Sequence, residues 1–166
     1  MHISYCLQLR WPIRFKAYLR RGFTLIEVLI VVILLGILAA IVIPVFASSN
    51  QEAEDSVAVT NLRYAARQIV FYHAKNGAYP PDRLPGQMPA GMEVLLGGMD
   101  WTEPTPIGGQ WDWDYQTGWC TAGVSLHGPD RTAEEMRVID EMVDDGDLGT
   151  GGFRARAGGY VLIIRP

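Results

Sequence analysis

From Val28 to Gln51 the chain carries no charged side chain. Roughly 24 residues at about 1.5 Å each reach across a hydrocarbon core of about 30 Å, so this run predicts a membrane-crossing helix. Beyond it the pattern becomes periodic. Val57, Ala58, Leu62, Ala65, Ile69 and Tyr72 recur about three and four apart, with Asn61, Arg63, Arg67 and Lys75 between them. That spacing predicts an amphipathic continuation of the same helix to Asn76, where Gly77 stops it. The expected helix runs from Phe23 to Asn76, about 80 Å. Pro44 removes a donor inside it, and Gly36 weakens it by about 1 kcal/mol relative to alanine.

After the helix, "NGAYPPD" from Asn76 to Asp82 opens an extended loop, because each proline disfavours helix for the residue before it. A Gly- and Pro-rich stretch follows, with a short helical turn expected near Met92 to Leu96. Strict alternation then sets Trp111, Trp113 and Tyr115 on one face of a strand and Asp112, Asp114 and Gln116 on the other. A turn at Thr117 to Gly118 and a second strand from Trp119 complete the expected hairpin. At this spacing the aromatic ladder is expected to pack on the long helix. Thr132 and Glu135 form a capping box ahead of an apolar stripe of Met136, Ile139, Met142 and Val143, which Gly146 ends. Tyr160 to Ile164 reads as a closing strand. The expected fold class is α+β: a long N-terminal helix, first transmembrane and then amphipathic, laid on an antiparallel sheet of three or four strands.

Charge is segregated along this order. Arg10, Arg14, Lys16, Arg20 and Arg21 precede Phe23, and every Asp and Glu follows it. Removing residues 1–22 therefore takes the formal charge from −4 down by five to −9. An acidic domain of this kind disfavours nucleic acid as a partner. The basic N-terminal flank places that end in the cytoplasm and the bulk of the chain outside. Of two cysteines, Cys6 lies in the basic leader, so its removal leaves no intrachain disulfide and Cys120 reads as a small buried hydrophobe.

One residue conflicts with the apolar run. Glu27 stands within "RRGFTLIEVLIVVILLGILAAIVIP", which begins at Arg20. An ionised acid in hydrocarbon costs about 2.5 to 3.5 kcal/mol on insertion scales and is by default a functional-site hypothesis. A secretory signal cut near "VFASS" calls for an apolar core of only about 7 to 15 residues, and a twin-arginine signal is usually less hydrophobic than this. The segment instead resembles the N-terminus of type IV prepilins and type II secretion pseudopilins: a basic leader, Gly22, then Phe23, Thr24, Leu25, Ile26, Glu27 and an apolar helix.

The resemblance implies a pilin-like fold and several roles. A prepilin peptidase would cut between Gly22 and Phe23 and methylate the new amine of Phe23. Glu27 would act in assembly, and Gly36 and Pro44 match helix-loosening positions, with a gentle kink in a membrane helix as the plainer reading of the same two residues. The implied segments are a leader at 1–22, a transmembrane half-helix at 23–46, an amphipathic exported half at 47–76 and an extracytoplasmic head at 77–166. The implied partners are homologous pilin-like subunits in a filament, the peptidase, and an inner-membrane assembly platform with its ATPase. The implied protein is a single-pass inner-membrane structural subunit, later in a pseudopilus or pilus, and not an enzyme.

The remaining candidate chemistry is sparse. Asp144, Asp145 and Asp147 cluster about Gly146, as hard oxygens do in a calcium loop, although the twelve-residue loop pattern is absent. Some pseudopilins bind calcium in a loop near the C-terminus, which makes these three aspartates the candidate metal residues. Solvated acids after a helix are the plainer reading. His73 and His127 have no paired cysteine or serine motif and read as structural. "GTGG" from Gly149 lacks the Lys-Ser/Thr of a phosphate loop and reads as a turn. A class-distinct alternative is a membrane-tethered module whose Trp-rich hairpin grips a polysaccharide.

Overall fold

The structure, a computed structural model, describes residues 22–166. All of the expected leader except Gly22, with Cys6 and its five basic residues, lies outside the described residues. The elements are α1 (Leu25–Asn76), β1 (Gln110–Tyr115), β2 (Ala122–His127), α2 (Ala133–Val143), β3 (Phe153–Arg156) and β4 (Gly159–Arg165). The chain divides into two compact units, one ending at Ile43 and the other running from Pro44 to Pro166.

In the first unit the helix starts two residues later than expected, at Leu25, because Thr24 caps it. Its apolar side chains from Leu25 to Ile43 are all exposed. α1 includes the one helix segment among the described residues that is long and apolar enough to cross a membrane. Exposure of such a stripe is what a lipid-facing helix requires.

The second unit is an α+β head. Four antiparallel strands form one sheet in the order β1-β2-β4-β3. The part of α1 within this unit lays Ala58, Val59, Leu62, Ala65 and Ile69 on the core, the spacing of a single helical face. Val57 was expected on that face but is exposed, and Val59 takes the buried place. Gly77, with φ of 74°, ends α1 and donates its N–H to the carbonyl of His73 at 2.8 Å.

Trp101, Trp111 and Trp113 fill the space between helix and sheet, each at most 1% exposed. A buried indole needs a partner for its N–H. Trp101 finds the carbonyl of Gln87 at 2.9 Å, and Trp113 that of Pro80 at 3.0 Å. The proline-rich loop therefore lines the core with acceptors. Its expected helical turn is present as one hydrogen bond, from Leu96 N to the carbonyl of Met92 at 2.8 Å.

Three expectations need correction. The second strand begins at Ala122, not Trp119, because Gln116 to Thr121 form the connection, closed by Gln116 N to Thr121 O at 2.9 Å and Thr117 N to Cys120 O at 3.1 Å. Trp119 is thereby kept off the aromatic face. Met142 was expected on the buried stripe of α2 but is exposed, while Asp140 is fully buried. The expected elements left residues 153–156 unassigned, yet Phe153 fills the core and β3 pairs with β4 from Leu162 to Gly159. The capping box of α2 is as expected: Thr132 N and Oγ1 each donate to Glu135 Oε2 at 2.8 Å.

Candidate functional site

Thr24 and Glu27 form a second capping box, at the start of α1. Thr24 N donates to Glu27 Oε2 at 2.8 Å, Thr24 Oγ1 donates to the same oxygen at 2.7 Å, and Glu27 N returns a bond to Thr24 Oγ1 at 3.3 Å. The signal was present in the sequence as Thr-Leu-Ile-Glu, the T-x-x-E pattern, and the apolar context masked it. The carboxylate in the greasy run thus satisfies donors that the first helical turn leaves unpaired. Gly22, by contrast, answers no demand of this fold. A Cβ placed there would meet nothing within 4 Å among the described residues, and the same holds at Gly36.

The head's acidic cluster differs from the expected one. Ligand oxygens of Asp140, Asp144 and Asp145 lie within 4.8 Å of one another. Asp147 is outside that group; its Oδ1 accepts from Gly149 N at 3.0 Å and shapes the turn. Asp145 accepts from Asp147 N and from Thr150 Oγ1, both at 2.9 Å. Asp144 accepts from Gly152 N, and from Phe153 N at 3.4 Å. Asp140 is different in kind. Its residue is 0% exposed, and neither carboxylate oxygen has a hydrogen-bond partner among the described residues. Burial, and then the neighbouring Asp145 and Asp144, push its carboxyl up to about 6. A carboxylate placed four after Met136 and three before Val143 falls on the apolar stripe, which was the sequence signal for it. Three oxygen donors, one of them buried and unpartnered, fit a hard cation.

The polar face of β1 is not solvated. Asp112 and Asp114 are buried, and a single guanidinium spans them: Arg156 Nη2 lies 2.6 Å from Asp112 Oδ2, and Nε lies 3.1 Å from Asp114 Oδ2. Ser125 donates to Asp114 and accepts from Arg156 Nε at 3.1 Å. Trp119 covers the guanidinium, its ring centroid 5.4 Å away. Burial, then Asp114, hold the Asp112 carboxyl above its ordinary range. Cys120 is buried beside this network, and burial raises its thiol.

These positions bury the two indoles of β1, while Trp119 in the connection is 43% exposed. Trp111 and Trp113 present no face on which a sugar could stack, so the aromatic ladder is core. His73 stacks on Tyr79 with ring centroids 4.1 Å apart, a packing role. His127 sits in the sheet opposite Gln110 and Gly159.

Comparison with known proteins bears on the N-terminal part. The prokaryotic N-terminal methylation motif matches residues 19–43. The type II secretion system core protein G of Pseudomonas aeruginosa is 44% identical over 75 residues, 45% of this chain and 49% of that protein. Its namesake in Vibrio cholerae is 39% identical over 59 residues, 36% of this chain and 40% of that protein. The type IV major pilin protein PilA of Myxococcus xanthus is 51% identical over 53 residues, 31% of this chain and 24% of that protein. The chain spans about half or less of the length of these relatives. No solved structure matches it. The resemblance to the prepilin and pseudopilin group, read from Gly22 to Glu27, therefore stands on the motif and on these relatives.

Proposed function

We propose that the chain is a structural subunit of a type II secretion pseudopilus or type IV pilus, cut after Gly22, methylated on Phe23 and assembled by lateral packing of α1. The observation that carries this reading is the methylation motif at residues 19–43, which runs into a helix whose apolar half, from Leu25 to Ile43, is wholly exposed. A surface of that kind needs lipid before assembly and other helices after it. Gly22 supports the same reading, since the fold tolerates a side chain there and the demand for glycine falls to the peptidase. On this reading residues 1–22 are the leader, 23–46 cross the inner membrane from the cytoplasm outward, 47–76 carry the helix into the head, and 77–166 complete it. The other partners are the assembly platform and its ATPase, and no catalytic role is assigned.

Glu27 then has two tasks. It caps its own helix, and in the filament it meets the methylated amine of Phe23, which stays cationic near neutral pH. At low effective dielectric an unpaired acid is penalised and an opposite charge attracts it, so the pairing sets axial register. Gly36 and Pro44 are the positions at which the helix loosens as it leaves lipid. The test is the intact mass of the membrane-extracted protein, expected at residues 23–166 plus one methyl group. A start at Ser48 would establish secretory cleavage and remove the apolar part of α1, Leu25 to Ala47, from the protein.

A divalent cation at the head is a second element of the reading. Asp140, Asp144 and Asp145 would hold calcium, which would neutralise a carboxylate that the fold buries without a partner. Asp147 would order the turn instead of ligating.

A further inference from the structure

α1 meets the rest of the head first through polar groups and only a turn later through apolar ones. Residues 48–50 are exposed. Gln51 Nε2 then donates to Glu135 Oε1 at 2.6 Å, and Arg131 reaches both Glu54, Nη2 to Oε2 at 2.7 Å, and Asp55, Nε to Oδ1 at 3.2 Å. The next positions on the core are the buried Ala58, Val59 and Leu62. Positions 51, 54, 55, 58, 59 and 62 continue one helical face at three- and four-residue spacing. The turn of that face nearest the apolar run is therefore polar where the rest is apolar.

The other side of the contact is the start of α2. Arg131 immediately precedes the N-cap Thr132, and Glu135 uses Oε2 for the capping box and Oε1 for Gln51. One helix start is thus both closed and tied to α1. A hollow lined by Ser48, Gln51, Glu52, Asp55, Glu135 and Val138 lies beside the contact, so the turn is held by these bonds more than by close packing. The Arg131 and Asp55 side chains are 12% and 6% exposed. Loss of the guanidinium would leave Asp55 buried without its cation, which separates this pair from an ordinary surface salt bridge. Apolar side chains could tie the turn down as well, but they would lengthen the uncharged run that now ends before Glu52 and favour drawing the turn into lipid. Charged groups attach the turn and disfavour its burial in hydrocarbon.

We propose that Arg131 and Glu135 form a clamp that holds the Gln51–Asp55 turn of α1 helical on the head, and that loosening of the helix at Gly36 and Pro44 does not pass this clamp. The second half of the proposal rests on the filament reading above. A helix end frays as far as its first fixed residue. With the clamp that residue is Gln51; without it the first attachment is Ala58. The clamp therefore decides whether two further turns of α1 stay ordered when the segment below them unwinds.

The test is peptide-resolved hydrogen exchange of the full chain, expressed with the wild-type copy deleted, in detergent and in sheared fibres. In wild type, the amides of residues 52–57 should exchange as slowly as those of 58–62. Arg131→Gln should speed 52–57 by about tenfold or more and leave 62–69 unchanged. Gln51→Ala with Glu54→Ala strands no buried charge and should speed 52–54 alone. Arg137→Gln, which breaks a pair within α2, should change neither. Unchanged exchange at 52–57 in Arg131→Gln, or equal speeding in Arg137→Gln, would overturn the clamp. Should Arg131→Gln unfold the head and speed 62–69 as well, the double variant decides, and unchanged exchange at 52–54 in it overturns the clamp. Slow exchange at 37–46 in wild-type fibres would overturn the loosening reading and with it the limit, while the clamp itself stands or falls by the detergent comparison.

Discussion

Removing the guanidinium of Arg156 should be the most damaging change on the outer face of the sheet. Its side chain is 4% exposed and stands between carboxylates that are 7% and 6% exposed. Arg156→Met keeps most of the stem volume but leaves Asp112 and Asp114 buried without their cation. Breaking a buried pair from one side costs about 3 to 5 kcal/mol, because the remaining charge stays desolvated. For a head of this size that corresponds to a loss of about 12 to 20 °C in melting temperature. Near-UV circular dichroism of the full chain in detergent reads the packing of Trp111 and Trp113 directly. The pH dependence has a definite sign. Burial and Asp114 already raise the Asp112 carboxyl above its unfolded value, and loss of Arg156 removes the influence opposing them. The folded variant then binds more protons than the unfolded chain in the window just above the ordinary carboxylate range. Its stability should fall as pH rises through that window, and mild acid should recover part of the loss. Adding Asp112→Asn and Asp114→Asn should also recover much of it. A variant melting within about 2 °C of wild type, or a triple variant weaker than Arg156→Met alone, would refute the argument that the guanidinium is there to neutralise these two acids.

Three further outcomes are expected. Leu62→Asp puts an unpaired charge at a fully buried position of α1 and should abolish the near-UV signal of the head; a native melt would mean that the helix is not the floor of the core. Calcium at a hundredfold excess over its dissociation constant should stabilise the head by about 2.7 kcal/mol in thermal melts, with Asp140→Asn losing the increment and Asp147→Asn keeping it; an equal increment in both variants would remove Asp140 from the site. Glu27→Gln retains the capping geometry without the charge, whereas Glu27→Val loses both. Both should still be cut after Gly22, and both should enter fibres poorly when counted by microscopy without the wild-type copy; normal incorporation of the Gln variant alone would assign Glu27 to capping and not to register.

What the amino-acid sequence determined by itself was whatever depends on neighbours along the chain. The apolar run, the helical period through Ile69, the stop at Gly77, the alternation in β1 and the capping box of α2 are all local patterns, and each reappears as an element. So does the Thr24–Glu27 pattern, because a helix start reads a few consecutive residues. The tertiary structure decided what depends on residues distant in sequence. Asp112 and Asp114 look like a solvent face until Arg156, 44 residues from Asp112, crosses the sheet to meet them. Asp140 looks like one more surface acid until the packing of α2 against β3 buries it beside Asp144 and Asp145. Burial and charge pairing are properties of three-dimensional neighbours, and alternation along a strand reports which side a residue faces but not what covers that side.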